Sequence, residues 1–349
     1  MLSPTEIKLE IAGDRNTMII NMKILGNRKD VSNFSVSGNF MTTIHTIDKP
    51  KEYFDEIEQL IEVVFNGFMA LAMDYGYHID NVFGQADKGK HTIYELRDNI
   101  HYRLNSSKLH FYLMLRRRID IEHRFGQMLK DNPKVFDGFF MGNPHFEFAA
   151  DEVMSIYDST IFHLSSSFDY LAMLVQFVFG KNPQSNLQWI TLAKHCYSEV
   201  SDFNDRKFKE NVKTVDRDFV SKFNDYRAEL IHRKKSTSFA NVSWKLSSGE
   251  VAVKFKCSDK IKSAFKKTLA KDESFCITYV TYTLIKQTVL NIGFVLEGIK
   301  QEFAENYNPH SPVMKKGGFQ IGSFNPETKF IEPPSRVHWK KFMEYQNYR

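Results

Sequence analysis

Two side chains in the stretch FNDYRAELIHRKK, residues 223–235, have the types and spacing for phosphoryl chemistry: Arg227 and, five positions on, His232. An imidazole titrates near neutral pH and can take or give a proton. A guanidinium stays charged and presents a fork of donors to phosphate oxygens. Together they suit cleavage of RNA by attack of its own 2′-OH on the neighbouring phosphate. His232 would act as general acid/base, and Arg227 would stabilise the negative charge that builds in the transition state. That chemistry needs no metal and no cofactor. Arg233, Lys234 and Lys235 follow directly and would hold the RNA backbone without reading its sequence. Asn224 and Asp225 directly precede the pair, in either a supporting or a solvent-facing role.

Spacing alone does not single out this pair. Arg103 with His110, and Arg116, Arg117 and Arg118 with His123, have similar separations. Short motifs recur by chance, so context decides. The stretch LRRRIDIEHRF around Arg118 is charged and poor in apolar neighbours. It reads as a solvated helix face, with a second site at Arg118 and His123 as the alternative.

Around Arg227 the context is different. Residues from Lys209 to about His232 read as a helix with Val212, Phe219, Phe223, Tyr226 and Leu230 on one apolar stripe. A long helix precedes it, Ala149 to Gly180, carrying HLSSSFDYLAMLV at residues 163–175. Its Asp169, His163 and Ser165 to Ser167 either face the site, orienting His232 or binding ribose, or are helix-surface groups. A short helix, Asn186 to Val200, lies between the two. After the motif come a hairpin, SFANVSWKL and VAVKFKC with its turn at Ser247-Ser248-Gly249, and a last long helix from about Lys260 to Phe303, interrupted near Asp272. On a regular helix, residues five apart point about 140° apart. Arg227 then sits at the edge of the apolar stripe and His232 points away from it. Either the helix ends or distorts near Ile231, or two protomers supply Arg227 and His232 to a shared cleft.

This helix order, with Arg-x(4)-His on the third core helix and a polar cluster on the long helix before it, resembles the HEPN superfamily over residues 149–305. The resemblance implies a helical bundle, a two-fold homodimer with a composite site, and metal-independent endoribonuclease activity that leaves a cyclic phosphate. It also implies a setting as a toxin or in antiviral defence, although some members of the superfamily are non-catalytic. One subgroup, paired with a nucleotidyltransferase antitoxin, carries Tyr two residues after the histidine; this chain has Lys234 there, so control through that Tyr is not expected. The alternative function is a non-catalytic dimerisation or interaction module that docks on a partner protein.

The fold class expected is mainly α with a small β-rich N-terminal part, as a HEPN-like helical bundle with an inserted β-hairpin. Four stretches follow: 1–48 β-rich, 49–147 helical, 148–305 the bundle, and 306–349 a basic C-terminal arm that is either docked or partly disordered. Helices are expected at about Lys51 to Tyr77 and Thr92 to Lys130. Net charge is +5, unevenly spread: residues 227–271 carry a local +9 and residues 306–349 a local +4, which suggests an anionic partner. Three cysteines without a CxxC pair argue against a disulfide framework or a zinc site. His195 and Cys196 read as structural, and Trp189 and Trp244 as packing anchors rather than base-stacking platforms. The start, MLSPTEIKLEIAG, has no secretory pattern. The most apolar run, Leu171 to Phe179, is short of a membrane span. A cytoplasmic protein without membrane contact is expected.

Overall fold

A computed structural model describes residues 17–22, 44–45, 47, 49–78, 90–131, 144–179, 188–198, 203, 205–232, 239–245, 250–257, 259–269, 274–307, 323–326, 330–332 and 334–349. The chain is mostly helical. It divides into two compact units, each assembled from three separate stretches. Unit 1 takes Met1–Phe54, Leu109–Phe162 and Phe223–Leu284; unit 2 takes Asp55–Lys108, His163–Lys222 and Ile285–Arg349. Long helices contribute residues to both: α1 (Pro50–His78), α2 (Lys90–Asp131), α3 (Pro144–Phe179) and α8 (Ile277–Tyr307).

In unit 1, β1 (Thr17–Met22), β3 (Phe239–Lys245) and β4 (Glu250–Lys256) form an antiparallel sheet in the order β1-β3-β4. The β3–β4 hairpin pairs Val242 with Val253 and closes at Lys245 and Glu250. The short β2 (Ile44–His45) runs parallel to β5 (Ser274–Phe275). The remaining part of the β-rich expectation for residues 1–48 lies outside the described residues. The last helix expected from Lys260 is broken more extensively than its sequence suggests. α7 (Asp259–Ala264) ends in a turn where Thr268 and Leu269 N–H groups donate to the Phe265 carbonyl. The chain then becomes extended, so that Cys257 N–H donates to the Phe275 carbonyl at 2.7 Å, before α8 begins.

Unit 2 is built on apolar stripes. On α1, Ile57, Leu60, Ile61, Val64, Phe68 and Leu71 recur at three- and four-residue steps and are buried. α4 (Trp189–Tyr197) is short, and its Trp189 is fully buried against the edge of Phe168. α5 (Arg206–Val215) starts where the Asp205 carboxylate accepts the Phe208 N–H, and Glu302 accepts the Asp205 N–H. α5 runs into a π turn, Asp216–Val220, and then α6 (Ser221–His232). The sequence suggests one regular helix here. The π turn adds a residue where the Trp189 indole N–H donates to Asp216 at 2.9 Å.

The expectation of an arm without clear period is met differently by residues 334–349. α9 (Pro334–Phe342) and a 3-10 turn, Met343–Tyr348, bury Trp339, Phe342 and Tyr345 in unit 2. Two glycines make room for them. A Cβ on Gly67 would lie 2.6 Å from the Phe342 ring, and one on Gly293 would lie 2.9 Å from the Tyr345 ring.

Also in unit 2, His101 stacks on Phe65 with ring centroids 4.1 Å apart, and its Nε2 accepts from Asn105 at 2.9 Å. Partial burial lowers its pKa; nearby Asp98 and Glu62 oppose that shift, while Lys108 and Arg97 add to it. With the folded pKa below the unfolded value of about 6.5, the neutral ring stabilises the fold above that pH, and this contribution is lost as pH falls through the folded pKa. Thermal melts between pH 7.5 and 5 should show a smaller acid-side decline in His101→Phe than in wild type. Parallel declines would remove His101 as a cause.

α3 contains a stretch, Asp151–Phe179, long and apolar enough by length and composition to cross a membrane, longer than the run that its sequence pattern singles out. The most apolar 18-residue window of that stretch is 61% buried inside the protein.

Candidate functional site

The helix that carries the motif is held by aromatic contacts in unit 1. Phe223 and Tyr226 on α6 are buried, and both meet the Phe265 ring edge-on, at 5.4 and 5.6 Å. Tyr226 also meets the edge of Tyr157 on α3 at 6.4 Å. Burial first, and then Tyr226, push the Tyr157 phenol well above its ordinary pKa, so it stays protonated. Phe219, earlier on the same stripe, is also buried. Leu230's side chain lies outside the described residues.

Arg227 sits beside this stripe, as its helical phase predicts, and is half-buried. Its guanidinium carbon lies 4.8 Å from the ring centroid of Phe162, an α3 residue that is 44% exposed. A guanidinium over a ring presents its face to the π cloud, while its N–H donors lie in the plane of the cation. Such a contact orients an arginine for an anion arriving at its edge. Asn224 lies one turn earlier on α6, half-buried, and Asp225 is exposed.

His232 is the last residue of α6; its side chain, and all of Arg233, Lys234 and Lys235, lie outside the described residues. Between Arg227 and His232 the helix is regular, and the departure from α geometry falls upstream at the π turn. Of the two ways to bring the pair together, the first, a helix that ends or distorts near Ile231, is met only as an end: α6 stops at His232, with no distortion between Arg227 and Ile231.

The polar cluster on α3 has other work. The Asp169 carboxylate accepts the Trp189 N–H at 3.0 Å at the start of α4. This satisfies a helix N-terminal donor within unit 2. Ser165, Ser166 and Ser167 are buried rather than on a helix surface, and Ser167 Oγ donates to the Leu164 carbonyl at 2.6 Å.

The stretch around Arg118 also differs from a solvated face. Arg118 is buried, donates from Nη1 to the Ile47 carbonyl at 3.1 Å, and pairs with Glu122 at 3.7 Å. Arg117 pairs with Glu152 at 2.7 Å. His123 is exposed and contacts Gln127, so Arg118 turns inward and His123 outward. They do not form a second site within this chain.

Trp189 packs in the core, as an anchor does. Cys196 is buried, and burial pushes its thiol up to about 12, which leaves little thiolate for reaction. Among the described residues no group of three or more His, Cys, Asp or Glu side chains is arranged to hold a metal ion.

One arginine–histidine contact joins two helices rather than one local stretch. Arg103 on α2 meets His163 on α3, with Nη1 and Nδ1 3.2 Å apart. These residues are 60 positions apart, so no local motif announces them.

In comparisons with known proteins, no family model, no curated protein and no solved structure matches this chain.

Proposed function

We propose that this protein is a metal-independent endoribonuclease of HEPN type that works as a homodimer, with the setting of a toxin or antiviral defence effector. The observation that carries the proposal is the position of Arg227. It lies at the edge of a well-packed core helix, with its guanidinium over an exposed aromatic ring. The basic run Arg233 to Lys235 follows a few residues on.

In the proposed reaction the RNA 2′-oxygen forms a bond to phosphorus as the bond to the 5′-oxygen breaks. His232 takes the 2′-OH proton, and a proton is returned to the departing 5′-oxygen. The products are a 2′,3′-cyclic phosphate and a 5′-OH. Arg227 stabilises the charge on the phosphorane oxygens. Because α6 stays regular between the two residues, we assign Arg227 and His232 of one cleft to different protomers, related by a two-fold axis.

Pure protein incubated with structured RNA in EDTA should cut it and leave cyclic phosphate ends, and His232→Ala should abolish cutting. Cutting by His232→Ala at the wild-type rate would remove His232 from the mechanism, and no cutting by wild type would overturn the proposal.

The Arg227–Phe162 contact also supports a second reading, a non-catalytic module in which Arg227 is a packing element. On that reading, Arg227→Ala loses thermal stability, and no variant or wild-type preparation cuts RNA.

A further inference from the structure

We infer that Arg103, His163, Tyr102 and Tyr170 form a subsite for single-stranded RNA that holds one phosphate and stacks a neighbouring base. This deepens the reading above and rests on RNA being the substrate. All four residues belong to unit 2.

The chemistry of the pair is fixed by what each group can donate. A guanidinium carries five N–H donors and no acceptor. In the 3.2 Å contact Arg103 must therefore donate, and His163 Nδ1 must accept. The ring nitrogen of His163 left to donate is Nε2. The pair carries N–H donors on both residues and one fixed positive charge, a combination of the type that phosphate oxygens accept from.

The rings supply the second element. The Arg103 guanidinium carbon lies 5.6 Å from the centroids of both Tyr102 and Tyr170. Tyr102 is 60% exposed and meets His163 edge-on, with ring centroids 6.4 Å apart. An exposed tyrosine alone is ordinary. One held against a cation that also contacts an imidazole is the combination that sequence-tolerant binders of single strands use, a basic point beside a stacking platform. An acidic peptide would engage the cation and leave the rings without a role, so the rings favour RNA.

The test uses the full chain and a fluorescent 2′-O-methyl oligoribonucleotide, which lacks the attacking hydroxyl and cannot be cut by that route. Anisotropy titrations at low salt should show Arg103→Ala binding at least about tenfold more weakly, as for loss of a charged phosphate contact. Tyr102→Ala should bind about fivefold or more weakly, as for the loss of one base-stacking ring. An abasic ribose-phosphate oligomer should be insensitive to Tyr102→Ala. Arg103→Lys keeps the charge without the planar fork, and should bind with intermediate affinity if Arg103→Ala does not fold. Unchanged binding in Arg103→Ala (or in Arg103→Lys, should only that variant fold) and in Tyr102→Ala overturns the subsite, even if wild type cuts RNA. Binding that depends on Arg103 and Tyr102, in a protein that cuts nothing, leaves the subsite standing and removes the nuclease. Equal binding of a polyglutamate peptide, insensitive to Tyr102→Ala, assigns the cluster to acidic protein segments and overturns the proposal.

Discussion

Arg227→Ala is expected to slow RNA cutting by about 10²- to 10³-fold, the usual effect of removing one donor aimed at transition-state charge. Stability should barely change. The side chain is half-buried, and its guanidinium lies over Phe162, a kind of interaction that contributes about 0.5–1 kcal/mol at exposed sites. The melting temperature should therefore fall only slightly while activity nearly disappears. Arg227→Lys keeps the charge but loses the fork, and should recover part of the rate. A composite cleft makes a sharper demand. Arg227→Ala and His232→Ala homodimers are each inactive, but mixed subunits create heterodimers with one intact cleft. With random exchange about a quarter of wild-type activity should return. Restoration confirms that the two residues come from different protomers, and its absence under verified subunit exchange rules that arrangement out. A large drop in melting temperature for Arg227→Ala, with a wild type that cuts nothing, favours the non-catalytic module.

The largest stability effect should come from Trp339. Its side chain is 6% exposed, it packs against Phe342, and its indole N–H donates to the buried Asp74 carboxylate at 2.7 Å. Trp339→Ala removes a large buried ring, a change that costs about 3–5 kcal/mol. It also removes the N–H that the Asp74 carboxylate accepts, and a hydrogen bond to a charged group contributes about 1.5–3 kcal/mol. The sum is comparable to the whole stability of many domains, about 5–15 kcal/mol. Trp339→Phe should separate the two parts, keeping most of the packing and losing the hydrogen bond. Lys340→Ala, on the exposed face of the same helix, should melt within about 0.5 kcal/mol of wild type. A Trp339→Ala protein with a wild-type denaturation midpoint would show that residues 334–349 are not part of the unit 2 core.

Much of the helical framework can be read in the sequence, because burial follows the apolar period. Ile57, Ile61, Val64 and Phe68 announce α1, and Phe219, Phe223 and Tyr226 announce the buried side of the π turn and α6. What could not be read depends on distant partners. The π turn sits where Asp216 meets Trp189, 27 residues away. Arg118 is buried because the Ile47 carbonyl, 71 residues away, receives its N–H. α9 has too few apolar residues for a strong pattern, and it docks through rings that need the space left by Gly67 and Gly293. Pro334 and the three-residue steps from Trp339 to Tyr345 were the available signal. At the candidate site, Arg227 was found because a local motif carries it. The Arg103–His163 contact was missed because spacing along one helix, which paired Arg103 with His110, does not reveal neighbours on two.

The interleaving of the two units constrains how this chain can change. Unit 1 and unit 2 alternate three times along the sequence, and the switches fall inside helices at Phe54, Lys108, Phe162, Lys222 and Leu284. Neither unit exists as a continuous cassette. No single linear segment carries one unit whole without also carrying parts of the other, so each must be inherited together with the other. An insertion inside one of these helices would shift residues of both units by a helical turn fraction at once, whereas insertions are best absorbed in loops. Diversification of this protein is therefore expected through substitution and loop growth rather than by trading modules.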